Sequence, residues 1–422
     1  MATAKPKFLY DNRLNDGTPV ASTTATGNYN VLNLLDFRPF TWWKPTSLPA
    51  TVDVDSGVAR AADYALIYGH DLHDAQVAVE VRGSTDNFAA SDVLLATSNL
   101  LAYPEQFDNG AWTKADVTVT ANAMMAPDGK HTMDKLVETA TTAQHFANQA
   151  SGVNGTQYAF SVRAKAAERT WLRLANGQGA FSVWFNLANG TVGTNSSPGD
   201  VTATIESLGD GVYECTVTNI MDVTAAVYVF LADADASVSY LGDVTKGLYV
   251  WGAQHKFGSS AGYYEGAANG PLYLPFASAS FRYWRLRFVQ LTGSVMPQIA
   301  IAPVGQALDA DQYISAPFDP LGAELVGQFN RSQKGHPLGS VIDFESYART
   351  IELEDVSWTW YRDSFRPAWA AHLRHKPFGF VWDPTDHANE IVLVTATPLG
   401  HDIPHRAGGY ATLRLPVSGK IT

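Results

Sequence analysis

Short runs of alternating apolar and polar residues recur along the chain. Val77-Ala78-Val79-Glu80-Val81, Val117-Thr118-Val119-Thr120, Val227-Tyr228-Val229-Phe230 and Arg285-Leu286-Arg287-Phe288 are examples. A period of two sends successive side chains to opposite faces, so each run predicts a half-buried strand. Asp128-Gly129, Asn154-Gly155, Asn176-Gly177, Asn189-Gly190, Asp210-Gly211 and Asn269-Gly270 mark turns, because glycine tolerates the positive φ of tight hairpins. Helical periodicity is rare. The spacing predicts a helix from Pro367 to about Arg374, with Pro367 in a first turn where its missing N–H is not needed, and a short helical turn over Val31 to Leu35. The pattern as a whole predicts an all-β protein.

At about 100–200 residues per domain, 422 residues predict a multi-domain chain. The stretch 97–270 is rich in Ala, Asn, Thr and Gly and carries 9 Lys/Arg against 16 Asp/Glu, whereas residues 1–96 with 271–302 carry 10 against 11. Residues 8–95 supply several strands but no closing edge, and 281–289 supply one isolated strong strand. Insertion of a compact domain at a loop tip reconciles these facts, since loop tips tolerate insertions. The expected division is 1–96 plus 271–302, an insert over 97–270, and a C-terminal β-rich part over 303–422.

Charge and composition narrow the function. Aromatics at 12% and charged residues at only 17% argue against disorder. A net charge of −12 argues against nucleic acid, which needs clustered Lys and Arg. Cys215 is the single cysteine, so no intrachain disulfide forms; it lies in a predicted strand and reads as a small core residue. Met1 to Tyr10 has no apolar signal core, and no run reaches the length of about 18 apolar residues that a membrane span requires.

Candidate chemistry is sparse. No nucleophile elbow, phosphate loop or dinucleotide fingerprint occurs, and no catalytic residue is assigned. His372 and His375 share a predicted helix face and could reach Asp383 or Asp386, but this spacing falls short of a metal signature, and surface or interface histidines are the plainer reading. Glu352, Glu354 and Asp355 cluster on one strand with nothing further to mark a glycosidase pair. Asp200, Asp210 and Asp222 are the calcium candidates. The tryptophans Trp42, Trp43, Trp112, Trp171, Trp184 and Trp251 could stack on sugar rings, although most tryptophans of a β-sandwich are core. Trp171 with Arg173 on the same strand face, and Trp184, are the expected exposed carbohydrate contacts.

Three stretches carry resemblances. Val20-Ala21-Ser22-Thr23, Val31-Leu32-Asn33-Leu34-Leu35-Asp36, Thr41-Trp42-Trp43-Lys44-Pro45, Ala50 to Gly57 and the late Phe281-Arg282-Tyr283-Trp284-Arg285-Leu286 together resemble the discoidin-like (galactose-binding-like) β-sandwich. Asn99 to Phe107, Ala111-Trp112-Thr113-Lys114, Ala126-Pro127-Asp128-Gly129 and Leu248 to Gln254 resemble the carbohydrate-binding-like jelly roll of phage tail and fibre proteins. The insert departs from that pattern at Gln254-His255-Lys256, where an acidic residue usually follows the Gln. Lys376 to Pro384 and Glu390 to Val394 resemble the closing β-domain of phage distal-tail and baseplate proteins.

The resemblances imply a non-enzymatic structural protein of a siphophage tail tip or baseplate, made in the host cytoplasm and carried in the virion. Implied partners are other tail proteins (tail tube, hub, the end of the tape measure), further copies of the chain in a ring, and host surface polysaccharide at the insert. The competing expectation is a bacterial carbohydrate-binding protein or glycosidase accessory module.

Overall fold

The computed structural model describes residues 4–177, 181–221, 225–262, 265, 268–320, 322, 324–397, 400–406 and 408–420. Strands hold 51% of the residues and helices 7%, in several sheets, so the chain is an all-β, multi-domain protein.

The first sheet runs in the order Val20–Ala21, Ala50–His70, Leu272–Gln290, Val77–Ser84, Val93–Thr97, with Ile299–Ile301 and Val304–Gly305 also paired to Ala50–His70. Alternation explains the late strand. Trp284, Leu286 and Phe288 point into the core with Val52, Val79 and Trp43. Arg285 and Arg287 point outward and bond Asp53 and Glu80, the residues opposite them in register. Register shifts at Pro275/Ala279 and Phe281/Tyr283 bend this strand, as β-bulges do. Both halves of Ala50–His70 therefore feed one core: Val52 and Val54 from one half, Ala65 and Ile67 from the other. The helical turn over Val31–Leu35 is a 3₁₀ turn capped by Asn30, whose Oδ1 accepts from Leu32 N at 2.9 Å.

Between Val93–Thr97 and Leu272–Gln290 the chain forms two antiparallel six-stranded sheets. The first has the order Thr191–Asn195, Ser182–Asn186, Trp171–Asn176, Ala226–Ala232, His145–Ala150, Thr113–Ala115. The second has the order Thr202–Gly209, Val212–Ile220, Gln157–Ala166, Gly247–Phe257, Met133–Glu138, Val117–Met124. Phe160, Val162, Leu172, Phe185, Val229 and Val250 fill the space between them.

The C-terminal sheet is ordered Leu308–Asp309, Lys7–Leu9, Phe378–Val381, Ile391–Ala396, Tyr410–Lys420, Pro337–Ser357, Glu324–Arg331. This corrects one expectation. Residues 7–9 were assigned by sequence to the first sandwich, yet they pair with Leu308–Asp309 and Phe378–Val381. The reason is apolar content: Phe8 is wholly buried against Phe365, Phe378 and Phe380, in a cluster whose other buried members all come from 303–422. Leu9, Tyr64, Leu66 and Tyr273 share a second cluster with Val381, Ile391 and Leu393, so the first and last sheets are welded through apolar burial.

The predicted helix also moves. The helical run covers Trp358 to Leu373, mixing α and π turns. Ser357 caps it, its Oγ accepting from Trp360 N at 3.2 Å. Pro367 sits at the start of the internal turn Arg366–Ala368, not at the start of the helix.

Candidate functional site

The outer face of the insert's first sheet gathers the residues singled out by sequence. Leu172 and Leu174 face the core, so Trp171 and Arg173 face out, and Trp184 faces out between Val183 and Phe185. Arg173 stands opposite Trp184 on one side and Phe230 on the other, and Phe230 stands opposite Phe146. The guanidinium lies 5.0 Å from the Trp184 ring centre and 4.1 Å from that of Phe230. Its Nη1 donates to Gln144 Oε1 at 3.2 Å. Burial lowers its pKa to about 10.

The three residues are thus brought to one face, but the expected exposure is overturned for two of them. Arg173 is 3% exposed and Trp184 4%, with the indole N–H donating to Ser237 O at 2.9 Å. Trp171 is half-buried over Gly193, where an added Cβ would meet the ring at 2.6 Å. Cation–π contact occupies the ring faces that a sugar would need. Phe146 and Tyr228, half-buried on the same face, were not singled out by sequence.

The other expected positions resolve structurally. Trp43, Trp112 and Trp251 are core residues, at 0%, 1% and 2% exposure. Trp42 is half-buried against the cluster that joins the first and last sheets. Cys215 is a buried core residue, and burial pushes its thiol well up. His372 Nε2 donates to Pro377 O at 2.8 Å, and the ring lies against those of Tyr10 and Phe37. Asp383 caps a turn, accepting from Thr385 N and Asp386 N. Glu352 is held by Arg414 at 2.9 Å. Asp200 and Asp210 flank opposite ends of Thr202–Gly209, about 25 Å of strand apart, so they cannot share a calcium ion; Asp222 lies outside the described residues. Among the described residues no group of three or more His, Cys, Asp or Glu is placed to hold a metal ion.

A serine, a histidine and an asparagine do line up in the insert. Ser151 Oγ is 2.7 Å from His255 Nδ1, and His255 Nε2 is 2.9 Å from Asn176 Oδ1. Burial lowers the imidazole to about 3, too weak a base to activate a hydroxyl near neutrality. The chain of bonds instead fastens the insert's entry: Ser151 Oγ donates to Leu100 O at 3.2 Å, and Leu100 N donates to His255 O at 2.9 Å. The neighbouring Lys256 finds its acid in Glu265, 2.7 Å away, in place of an acidic residue beside Gln254.

A wide concave site lies on the insert's second sheet. An open cleft of about 930 Å³ lies between this sheet and the loop Pro384–Glu390 of the C-terminal part. Ala203 and Ile205 pack inward, so Thr202, Thr204 and Glu206 face the cleft. Thr218, Thr216 and Glu214 stand opposite them in register, and Arg163 stands opposite Glu214. The result is a two-by-two grid of threonine hydroxyls ending in a carboxylate pair. Arg163 Nη2 is 2.9 Å from Glu214 Oε1, and Nη1 donates to Gly252 O at 3.1 Å.

In the facing loop His387 lines the cleft and stacks on Trp382, which precedes the loop and packs against the C-terminal core. The rings of Trp382 and His387 lie 4.8 Å apart at 24°. Glu390 holds both: Oε2 accepts from Trp382 Nε1 at 2.8 Å, and Oε1 is 3.1 Å from His387 Nδ1. Glu206, Glu214, Asp386 and Glu390 outnumber Arg163, so the lining is acidic and rich in paired donors and acceptors. Such a surface suits a neutral polyhydroxylated ligand and repels a polyanion. Sequence reasoning missed it because its two walls are far apart in the chain; the Thr-x-Thr-x-Glu alternation of 202–206 was its one legible mark.

No family model matches the chain, and no curated protein matches it. Among solved structures it is similar to the enzymatically active domain of tailspike protein 4 of bacteriophage CBA120, with 15% identity and a TM-score of 0.24, over 37% of this chain and 21% of that one. It is also similar to the D1-D2-D3 domains of the flagellar cap protein FliD from Escherichia coli, with 14% identity and a TM-score of 0.13, over 45% of this chain and 59% of that one. The chain spans about a fifth of the first and under two thirds of the second. Likenesses this slight carry no argument about fold or function. Among the described residues no helix is long and apolar enough to cross a membrane.

Proposed function

We propose that the chain is a structural component of a bacteriophage tail tip or baseplate, present in the virion as several copies about an axis and meeting other tail proteins there. In this reading the inserted sandwich holds a neutral saccharide of the host surface in the cleft, without cleaving it. The observation that supports the ligand class is the threonine grid of Thr202, Thr204, Thr216 and Thr218 facing Asp386, His387 and Glu390 of the opposite loop. The tail reading rests on the sequence resemblances of the first and last parts. A holding role fits the carboxylates, because Glu214 is engaged by Arg163 and Glu390 by Trp382 and His387.

A single open site of this kind binds with roughly millimolar affinity, near −4 kcal/mol. Several copies on one particle convert that into useful avidity. Saturation-transfer NMR with the full chain tests it. Neutral host polysaccharide should give signals that Thr204→Val with Thr216→Val abolishes, while a uronic-acid or sulfated polymer should give none. Release of reducing ends by the purified protein, or unchanged binding by the double variant, would overturn the reading.

A further inference from the structure

The two strands Glu324–Arg331 and Pro337–Ser357 form an antiparallel ribbon at the edge of the C-terminal sheet. Pairing of Pro337–Ser357 with Tyr410–Lys420 begins only at Ser346. Among the described residues, the ribbon from Glu324 to Glu345 therefore has no third strand beside it. Two strands alone are marginally stable in water. Seven large apolar side chains on it are exposed: Leu325 52%, Val326 38%, Phe329 75%, Leu338 67%, Val341 58%, Ile342 53% and Phe344 48%.

The register places them on both faces. Val326 stands opposite Phe344 and Gln328 opposite Val341, which puts Val326, Phe344 and Val341 on one face. Gly327 stands opposite Ile342, which puts Leu325, Phe329 and Ile342 on the other. A ribbon that is apolar on both sides is built to be enclosed, since a free edge of this kind otherwise aggregates.

We propose that this ribbon is an arm that docks on a second copy of the chain; the proposal rests on the multi-copy reading above and names the element that makes it. Charge favours this occupant. Arg331 and Lys334 are both exposed at the tip, whereas the acidic residues of the arm, Glu324, Asp343 and Glu345, lie towards its base, on a chain whose net charge is −12. A basic tip on an acidic molecule finds its complement on the next copy. Size agrees: the arm from Glu324 to Ser346 supplies 23 residues, against about 20–30 per side in a standard interface. An arm at one edge of the sheet meets a different surface on its neighbour, a head-to-tail contact that closes into a ring when the rotation permits.

Sedimentation of the full chain tests the arm. The native protein should sediment as an oligomer, and Phe329→Asp with Ile342→Asp should sediment as a folded monomer, with association weakened by roughly thirtyfold or more, the scale of losing a central aromatic anchor. The tip variant Arg331→Glu with Lys334→Glu removes no apolar burial and should also weaken association, which covers a failure of the first variant to fold. Because Cys215 is buried, Lys334→Cys creates a single exposed thiol for a photo-crosslinker. It should yield a chain-to-chain product. An oligomeric native protein with equally oligomeric variants and only intrachain crosslinks overturns the arm and leaves the multi-copy reading intact. A monomeric native protein overturns both.

Discussion

The insert and the arm are both antiparallel β, yet one is finished within the chain and the other is not. In the insert, two sheets face each other over Phe160, Phe185, Trp112 and Leu174, all at 1% exposure or less. In the arm, one ribbon carries Phe329 and Leu338 at 75% and 67%. Strand composition is similar; what differs is a second layer. Polar groups follow the same division. The insert buries Glu138 with Arg169, Tyr240 and Asp243 N as partners, which only a closed interior makes worthwhile. The arm's charged groups at its tip remain in water.

The comparison breaks if a core aromatic of the insert behaves like one of the arm. Trp112 stacks on Phe107 at 4.4 Å and donates to Tyr103 O. Trp112→Ala should cost about 3–5 kcal/mol in urea unfolding of the insert. Phe329→Ala, measured where the protein is monomeric, should stay within about 0.5 kcal/mol. Equal losses would mean that the arm is covered within its own chain.

Glu138 sharpens the same contrast. Its hydrogen bonds hold the carboxylate below its ordinary range despite burial, and burial with Glu138 beside it pushes Tyr240 up. Glu138→Ala leaves the Arg169 guanidinium and the Tyr240 hydroxyl without their acceptor and should cost about 3 kcal/mol. Arg331→Ala at the arm tip, measured where the protein is monomeric, should leave the melting temperature unchanged.

Acid should act on the interior rather than on the arm. Burial holds His255 at about 3 and His70 at about 4, against an ordinary 6.5. The unfolded imidazoles take protons as pH falls below 6.5 while the folded ones do not until those lower values. Stability is complete above that window and declines by about 1.4 kcal/mol per pH unit for each histidine as pH falls through it. Denaturation midpoints measured across the window should show this slope, and His255→Gln should make it shallower. A modest loss is expected at the helix cap: Ser357→Ala should lower stability by about 1 kcal/mol without altering the oligomer.

Much of the local structure was legible. Alternation marked Val77–Ser84 and the Trp284, Leu286, Phe288 face, because a period of two needs no partner to be read. Asn and Asp before Gly marked turns for the same local reason. The helix was half legible: Pro367 gave its later turns, while Trp358 to Phe365, rich in rings that favour strands, concealed its beginning. The cleft was not legible, because Thr202–Gly209 and Pro384–Glu390 meet only after folding.

By itself, then, the sequence determined an all-β chain, its turns, and which side of many strands is apolar. These follow from side-chain chemistry and backbone geometry within a few residues. Only the tertiary structure decided that Lys7–Leu9 joins Phe378–Val381, that Arg173 and Trp184 close on each other rather than on solvent, and that the apolar ribbon of Glu324 to Glu345 lies bare. Burial is a property of what arrives from elsewhere in the chain. An alternating strand reads the same whether a second layer covers it or not.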